Sequence, residues 1–71
     1  MKYLVVFEKT AQSHGAYVPD LPGCVAIANS HEEVSRLINE AIDLHLQDLK
    51  AQGLPVPPPN SAAQLVEVIS H

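Results

Sequence analysis

Short apolar blocks and one long amphipathic stretch divide this chain. Lys2-Tyr-Leu-Val-Val-Phe-Glu8 is brief and rich in β-branched and aromatic residues, which predicts a strand. Tyr3, Val5 and Phe7 fall on one of its faces, Leu4 and Val6 on the other together with Glu8. Apolar groups on both faces predict a central strand with a helix over one side and a second cover over the other. Lys9 to His14 is polar and predicts the first hairpin turn, with Gly15 relieving the backbone. Gly15 to Val18 and Gly23 to Ala28 follow as strands, and connections this short make neighbours antiparallel.

Periodicity then changes from two to 3.6. Val34, Leu37, Ile38, Ala41, Ile42, Leu46 and Leu49 recur at the spacing of one helical face. Ser30 and Glu33 have the spacing of a capping box, in which the Ser30 hydroxyl takes the Glu33 amide and the Glu33 carboxylate returns to the Ser30 amide. Glu32 and Glu33 also suit the positive end of the helix dipole. Glu32, Arg36, Glu40 and Asp43 fall on the solvent side, where Glu32 and Arg36 form an i,i+4 pair. Gly53 is placed as the residue after the helix, and Pro55 prevents continuation.

Leu54-Pro-Val-Pro-Pro-Pro-Asn60 can neither continue a helix nor donate to a ladder, so it predicts an extended, stiff return path. A proline run can also be a ligand for SH3-like domains, but a connector inside a small domain explains it without a partner. Gln64-Leu-Val-Glu-Val-Ile69 predicts a final strand. A helix between two strands is the connection a parallel crossover uses, and such crossovers are right-handed in about 98% of cases. The expected fold is therefore α+β: β-β-β-α-β, a four-stranded mixed sheet of order 3-2-1-4 with one helix on one face.

The most specific local feature is Tyr17-Val-Pro-Asp-Leu-Pro-Gly-Cys24. Pro19 and Pro22 fix φ on both sides of Asp20-Leu21 and each removes a donor, which ends the strand. Gly23 suits a positive φ, and Asp20 is placed to bond forward to nearby amides in an Asx-turn. From the residues alone this is a stiff hairpin connection. With Ser30, Glu32 and Glu33, then Ala41-Ile42, His45-Leu46 and Gly53-Leu-Pro-Val-Pro57, it also resembles the HicB family, the antitoxin partners of small RNA-cleaving HicA toxins. The resemblance runs from the first strand to the last and implies a truncated ribonuclease H-like fold. It implies a structural role for Tyr17, Pro19, Asp20, Leu21, Pro22, Gly23 and Cys24.

Composition narrows the class. Seventy-one residues predict one domain spanning 1–71, which buries only about 60% of its unfolded surface and so gains from self-association. With 46% hydrophobic residues, a core forms. The single cysteine excludes an internal disulfide, and no Cys-x-x-Cys pair offers a zinc site. The apolar run from Tyr3 to Phe7 is too short for a membrane span or a signal peptide, so a cytoplasmic location is expected. A net charge of −4 argues against direct nucleic-acid binding and favours a basic partner.

Candidate chemistry is sparse. His14, His31, His45 and His71 do not share a spacing suited to joint metal ligation. His45 borders the core stripe and is expected as a packed edge residue, and His31 beside Glu32 is explained by the helix start. Cys24 follows Gly23 in a strand and is expected to pack as a small apolar side chain. Glu8 and Glu67 would approach one another if strands one and four paired, but no third acid completes a two-metal carboxylate site. The expected protein is therefore not an enzyme and takes no metal or cofactor.

The resemblance implies an antitoxin-like module that binds and masks a small basic HicA-type toxin, itself a double-stranded-RNA-binding-like fold with a catalytic histidine. Candidate contacts, chosen by charge and position, are Glu8, Asp20, Glu32, Glu40 and Asp43. Longer HicB antitoxins add a C-terminal DNA-binding segment; none follows the last strand here, so no DNA binding is expected. The alternative is an orphan domain that forms a homodimer or homotetramer and binds another protein or a small ligand, with no toxin.

Overall fold

The structure is a computed structural model and describes residues 1–69. Three strands, β1 (Val6–Lys9), β2 (His14–Tyr17) and β3 (Val25–Ala28), precede one helix, α1 (His31–Ala51). They form an antiparallel sheet of order β1-β2-β3, the arrangement that hairpin connections dictate. Thr10 closes the first hairpin: its amide donates to the Ser13 carbonyl at 2.9 Å, and its Oγ1 accepts the Ser13 amide at 3.0 Å. Gly15 is an ordinary strand residue without a positive φ, so the expected backbone relief is not used there.

The register explains which side is buried. Phe7, Ala16 and Ala26 form one cross-strand row, and Lys9, His14 and Ala28 lie in register on the same face. Ala16 and Ala28 are buried beneath α1, where their small side chains let the helix approach closely. Val34 and Ile38 of α1 are fully buried, and Leu37, Ala41, Ile42 and Leu46 pack around them, as the helical spacing predicts. Tyr3 and Val5 join the same core from the segment before β1.

Both helix ends are satisfied. Ser30 Oγ accepts the Glu33 amide at 3.1 Å, so the first arm of the capping box forms. Its reciprocal arm, from the Ser30 amide to the Glu33 carboxylate, is absent among the described residues. Arg36 pairs with Glu40 at 3.0 Å rather than with Glu32. At the other end the Leu54 amide reaches the Leu49 carbonyl at 2.9 Å and the Gly53 amide reaches Lys50 at 3.1 Å. This Schellman arrangement requires the positive φ of 69° that Gly53 adopts.

The expected fourth strand does not form. Residues 64–69 enter no ladder among the described residues, and Leu65 (101%) and Val68 (81%) are fully in solvent. Among the described residues the sheet has three strands, not four in the order 3-2-1-4; the α+β class and the antiparallel part of that order stand. The connector accounts for the difference. Tyr3 Oη donates to the Pro57 carbonyl, and Ser61 is tied to Asp20, so the chain is held at the β2–β3 loop. Only Ala62 and Ala63 then separate that anchor from Gln64, which leaves little chain with which to reach the free edge of β1.

The opposite sheet face is uncovered. Val6, Tyr17 and Val25 share one row of it and Glu8, Gly15 and Ile27 the next. Val25 is 62% and Ile27 74% exposed, so the second cover predicted by the two-sided apolar pattern is not supplied by the described residues.

Candidate functional site

The proline-bracketed motif builds a closed turn around a core plug. The Val18 amide donates to the Cys24 carbonyl at 3.1 Å, Leu21 to Val18 at 3.1 Å and Cys24 to Leu21 at 3.0 Å. Gly23 adopts a φ of 84°, the positive value expected of it. The three bonds fold Leu21 inward, where it is fully buried with Val18 and Cys24, while Pro19, Pro22 and Gly23 remain at the surface. Tyr17 points to the uncovered sheet face. An apolar residue between two prolines in a turn was the available signal that Leu21 belongs to the core.

Asp20 does something other than cap its own turn. Its Oδ2 accepts the Ser61 amide and its Oδ1 the Ser61 hydroxyl, each at 2.9 Å, across 41 residues of sequence. The Ser61 amide bond, then the Ser61 hydroxyl and the Asn60 amide, hold the Asp20 carboxyl below its ordinary value; partial burial opposes them. Two charge-assisted bonds engage both carboxylate oxygens, so Asp20 clamps the connector to the β2–β3 loop. No local spacing in the sequence announces a bond over that distance.

The remaining acidic candidates divide between two sides. Glu8 lies on the uncovered sheet face, opposite Gly15. Glu32, Glu40 and Asp43 are exposed along the outer side of α1, away from the buried Val34 and Ile38. A sheet and a helix layer separate Glu8 from the other three, so one flat interface does not use all of them. The helix acids share one face, interrupted by Arg36, which pairs with Glu40.

Residues with catalytic potential are poorly placed for it. Cys24, His45 and Asp48 line one open groove with Gly23, Val25, Ala41 and Leu44. The Cys24 side chain is buried, however, and burial pushes its thiol above the ordinary value, which disfavours the nucleophilic thiolate. His45 is half-buried at the edge of the helix stripe, as expected. His14 and His31, remote in sequence, meet with ring centroids 6.5 Å apart, and Phe7 lies 4.7 Å from His31. That aromatic contact follows from where the start of α1 packs over β1 and β2 and is invisible in the sequence. Among the described residues no three potential ligands gather to hold a metal ion. Glu67 is exposed in the unpaired segment and does not approach Glu8 through a ladder; His71 lies outside the described residues. No helix is long and apolar enough to cross a membrane among the described residues.

Known proteins resemble the chain over most of this framework. A UPF0150 protein of Helicobacter pylori is 49% identical over 49 residues, which cover 69% of this chain and 68% of that protein. A UPF0150 protein of Archaeoglobus fulgidus is 40% identical over 48 residues, covering 66% and 70%. A chain of the solved HicA3 and HicB3 toxin-antitoxin complex superposes with a TM-score of 0.69 at 32% identity, covering 83% of this chain and 70% of that one. Residues 3–70 match the family described as the HicB-like antitoxin of bacterial toxin-antitoxin systems. That match spans the plug turn, the capped helix and the connector alike, and the chain belongs to the HicB-like antitoxin family.

Proposed function

We propose that this chain is an antitoxin-type binding module that masks a small basic toxin of the HicA kind, without catalysis of its own. The observation that carries this reading is the likeness in both fold and sequence to a chain of a toxin–antitoxin complex. Charge supports it: a domain of net charge −4 with an acidic stripe along α1 suits a cationic RNA-cleaving surface. Glu32, Glu40 and Asp43 are the contacts assigned to this interface, and Glu8 belongs to a separate one. The same charge disfavours direct contact with nucleic acid, so the 1–71 domain acts through protein contacts, in the cytoplasm.

Co-expression with a small basic protein encoded by an adjacent reading frame tests the reading, and the absence of such a frame favours the orphan domain. Relief of toxin-induced growth arrest and a stable co-purifying complex are expected. Glu40→Lys with Asp43→Lys weakens that complex, most at low salt. A neighbouring toxin that neither binds nor is neutralised overturns it.

A second reading has its own support. The uncovered face bearing Tyr17, Val25 and Ile27 is apolar, which favours self-association into a homodimer or larger assembly whether or not a toxin is present. Sedimentation of the purified chain as a monomer at tens of micromolar would remove this reading.

A further inference from the structure

Residues 64–69 pose a physical problem that the single chain does not solve. Leu65, Val66, Val68 and Ile69 are aliphatic, mostly β-branched and exposed, with Glu67 the only charge among them. They read as a strand by composition and alternation, yet their backbone groups have no ladder among the described residues. The complementary defect lies at the other side of the sheet. Among the described residues β1 pairs with β2 along one edge only, and its second edge presents unpaired amides and carbonyls beside the uncovered face. An unpaired apolar strand and an unpaired edge are matching surfaces within the same sequence.

The connector decides between a chain closing on itself and closing on a neighbour. Pro57 is held by Tyr3, and Ser61 is held by both oxygens of Asp20 at the β2–β3 loop. Two alanines are all that lie between that clamp and Gln64, and residues 64–69 enter no ladder beside β1 among the described residues. The stiff proline run prevents slack from being borrowed upstream. A segment projected outward from a fixed anchor is suited to another molecule's edge.

Charge selects the neighbour. Two identical chains of net charge −4 repel, so any contact between them must use neutral surface. The segment and the Val6, Tyr17, Val25 and Ile27 face are the least charged surfaces, each carrying a single acid (Glu67 and Glu8), whereas a basic toxin is better matched by the acidic side of α1. We propose that two copies of this chain exchange residues 64–69 reciprocally, each segment adding as a fourth strand to the free β1 edge of the other. The twofold arrangement uses every contact twice and pairs the β1 edge of both copies at once. It rests on the self-association proposed above and specifies the contact that makes it.

The test uses the full chain. Sedimentation equilibrium at tens of micromolar is expected to give twice the 7.7 kDa chain mass. In a dimer mixed from isotope-labelled and unlabelled chains, filtered nuclear Overhauser spectra should connect the 64–69 side chains of one copy to Leu4–Glu8 of the other. Val66→Pro with Val68→Pro should halve the mass while leaving the helical circular dichroism intact. A monomeric wild type overturns both the exchange and the self-association. A dimer with only intrachain contacts from 64–69, or one that survives the double proline substitution, overturns the exchange and leaves self-association standing.

Discussion

Leu21 shows how much a single side chain carries in a domain this small. It is fully buried and held inward by a turn whose bonds all lie within Val18 to Cys24. Leu21→Ala is expected to cost about 2–5 kcal/mol, the range for emptying a buried leucine site. That is comparable to the whole stability of a chain of this length, so the variant should lose its cooperative urea transition. Leu44→Ala is the matched control: Leu44 is 66% exposed, and its midpoint should stay within about 0.5 kcal/mol of the wild type. Asp20 makes a different kind of prediction. Its carboxyl is held below the ordinary 3.8, so the folded state favours the ionised form. The stabilisation from the clamp is therefore complete above that ordinary value and is lost as pH falls through the lower folded value. Asp20→Asn should melt below the wild type near neutrality, with the gap closing in acid. An equal gap at about pH 7 and about pH 3 would show that the carboxylate is not responsible.

Elements differ in how far their own residues determine them. α1 is nearly autonomous in definition: the apolar stripe, the Ser30 cap and the Gly53 exit all lie within it or beside it, and all are used. Ser30→Ala should cost about 1 kcal/mol in a denaturant titration, because the Glu33 amide loses its acceptor. Glu33→Gln should cost much less, since no reciprocal bond from its carboxylate is formed. β2 and β3 were equally legible, bounded by polar turns and by the Pro-Asp-Leu-Pro-Gly connection. Residues 64–69 were not. Their alternation and β-branched content describe a strand, but a strand exists only when an edge accepts it, and propensity does not say whose edge. The Glu32–Arg36 pair failed for a related reason: Arg36 has acids four residues away on either side, and the choice of Glu40 is a matter of rotamer and neighbours.

The whole molecule is elongated. Its radius of gyration is 14.4 Å, against about 11 Å for a compact chain of this length. The long dimension of 53 Å exceeds the roughly 31 Å of a 21-residue helix, so the projecting C-terminal segment contributes to it. The sheet face opposite α1 is open, and Ile27, 74% exposed, lies on it with Val25 and Tyr17. Ile27→Lys is expected to leave the melting of the isolated domain within about 0.5 kcal/mol while weakening self-association, as read by sedimentation. A large loss of thermal stability at high dilution would instead mean that the face is buried within each chain.

Local order was written in the residues themselves. The helix with its ends, the hairpin strands, the positive φ of Gly23 and the acidic outer stripe all depend on neighbours within a few positions, where spacing and side-chain chemistry act directly. Family membership follows from the same strings, because they are long and specific. Three-dimensional packing decided the remainder: that Leu21 is a plug, that Asp20 grips Ser61, that His14 meets His31, and that the last strand finds no place beside β1. Each of these joins groups far apart along the chain or leaves them apart, and such pairings depend on where the backbone travels in space, which periodicity does not encode.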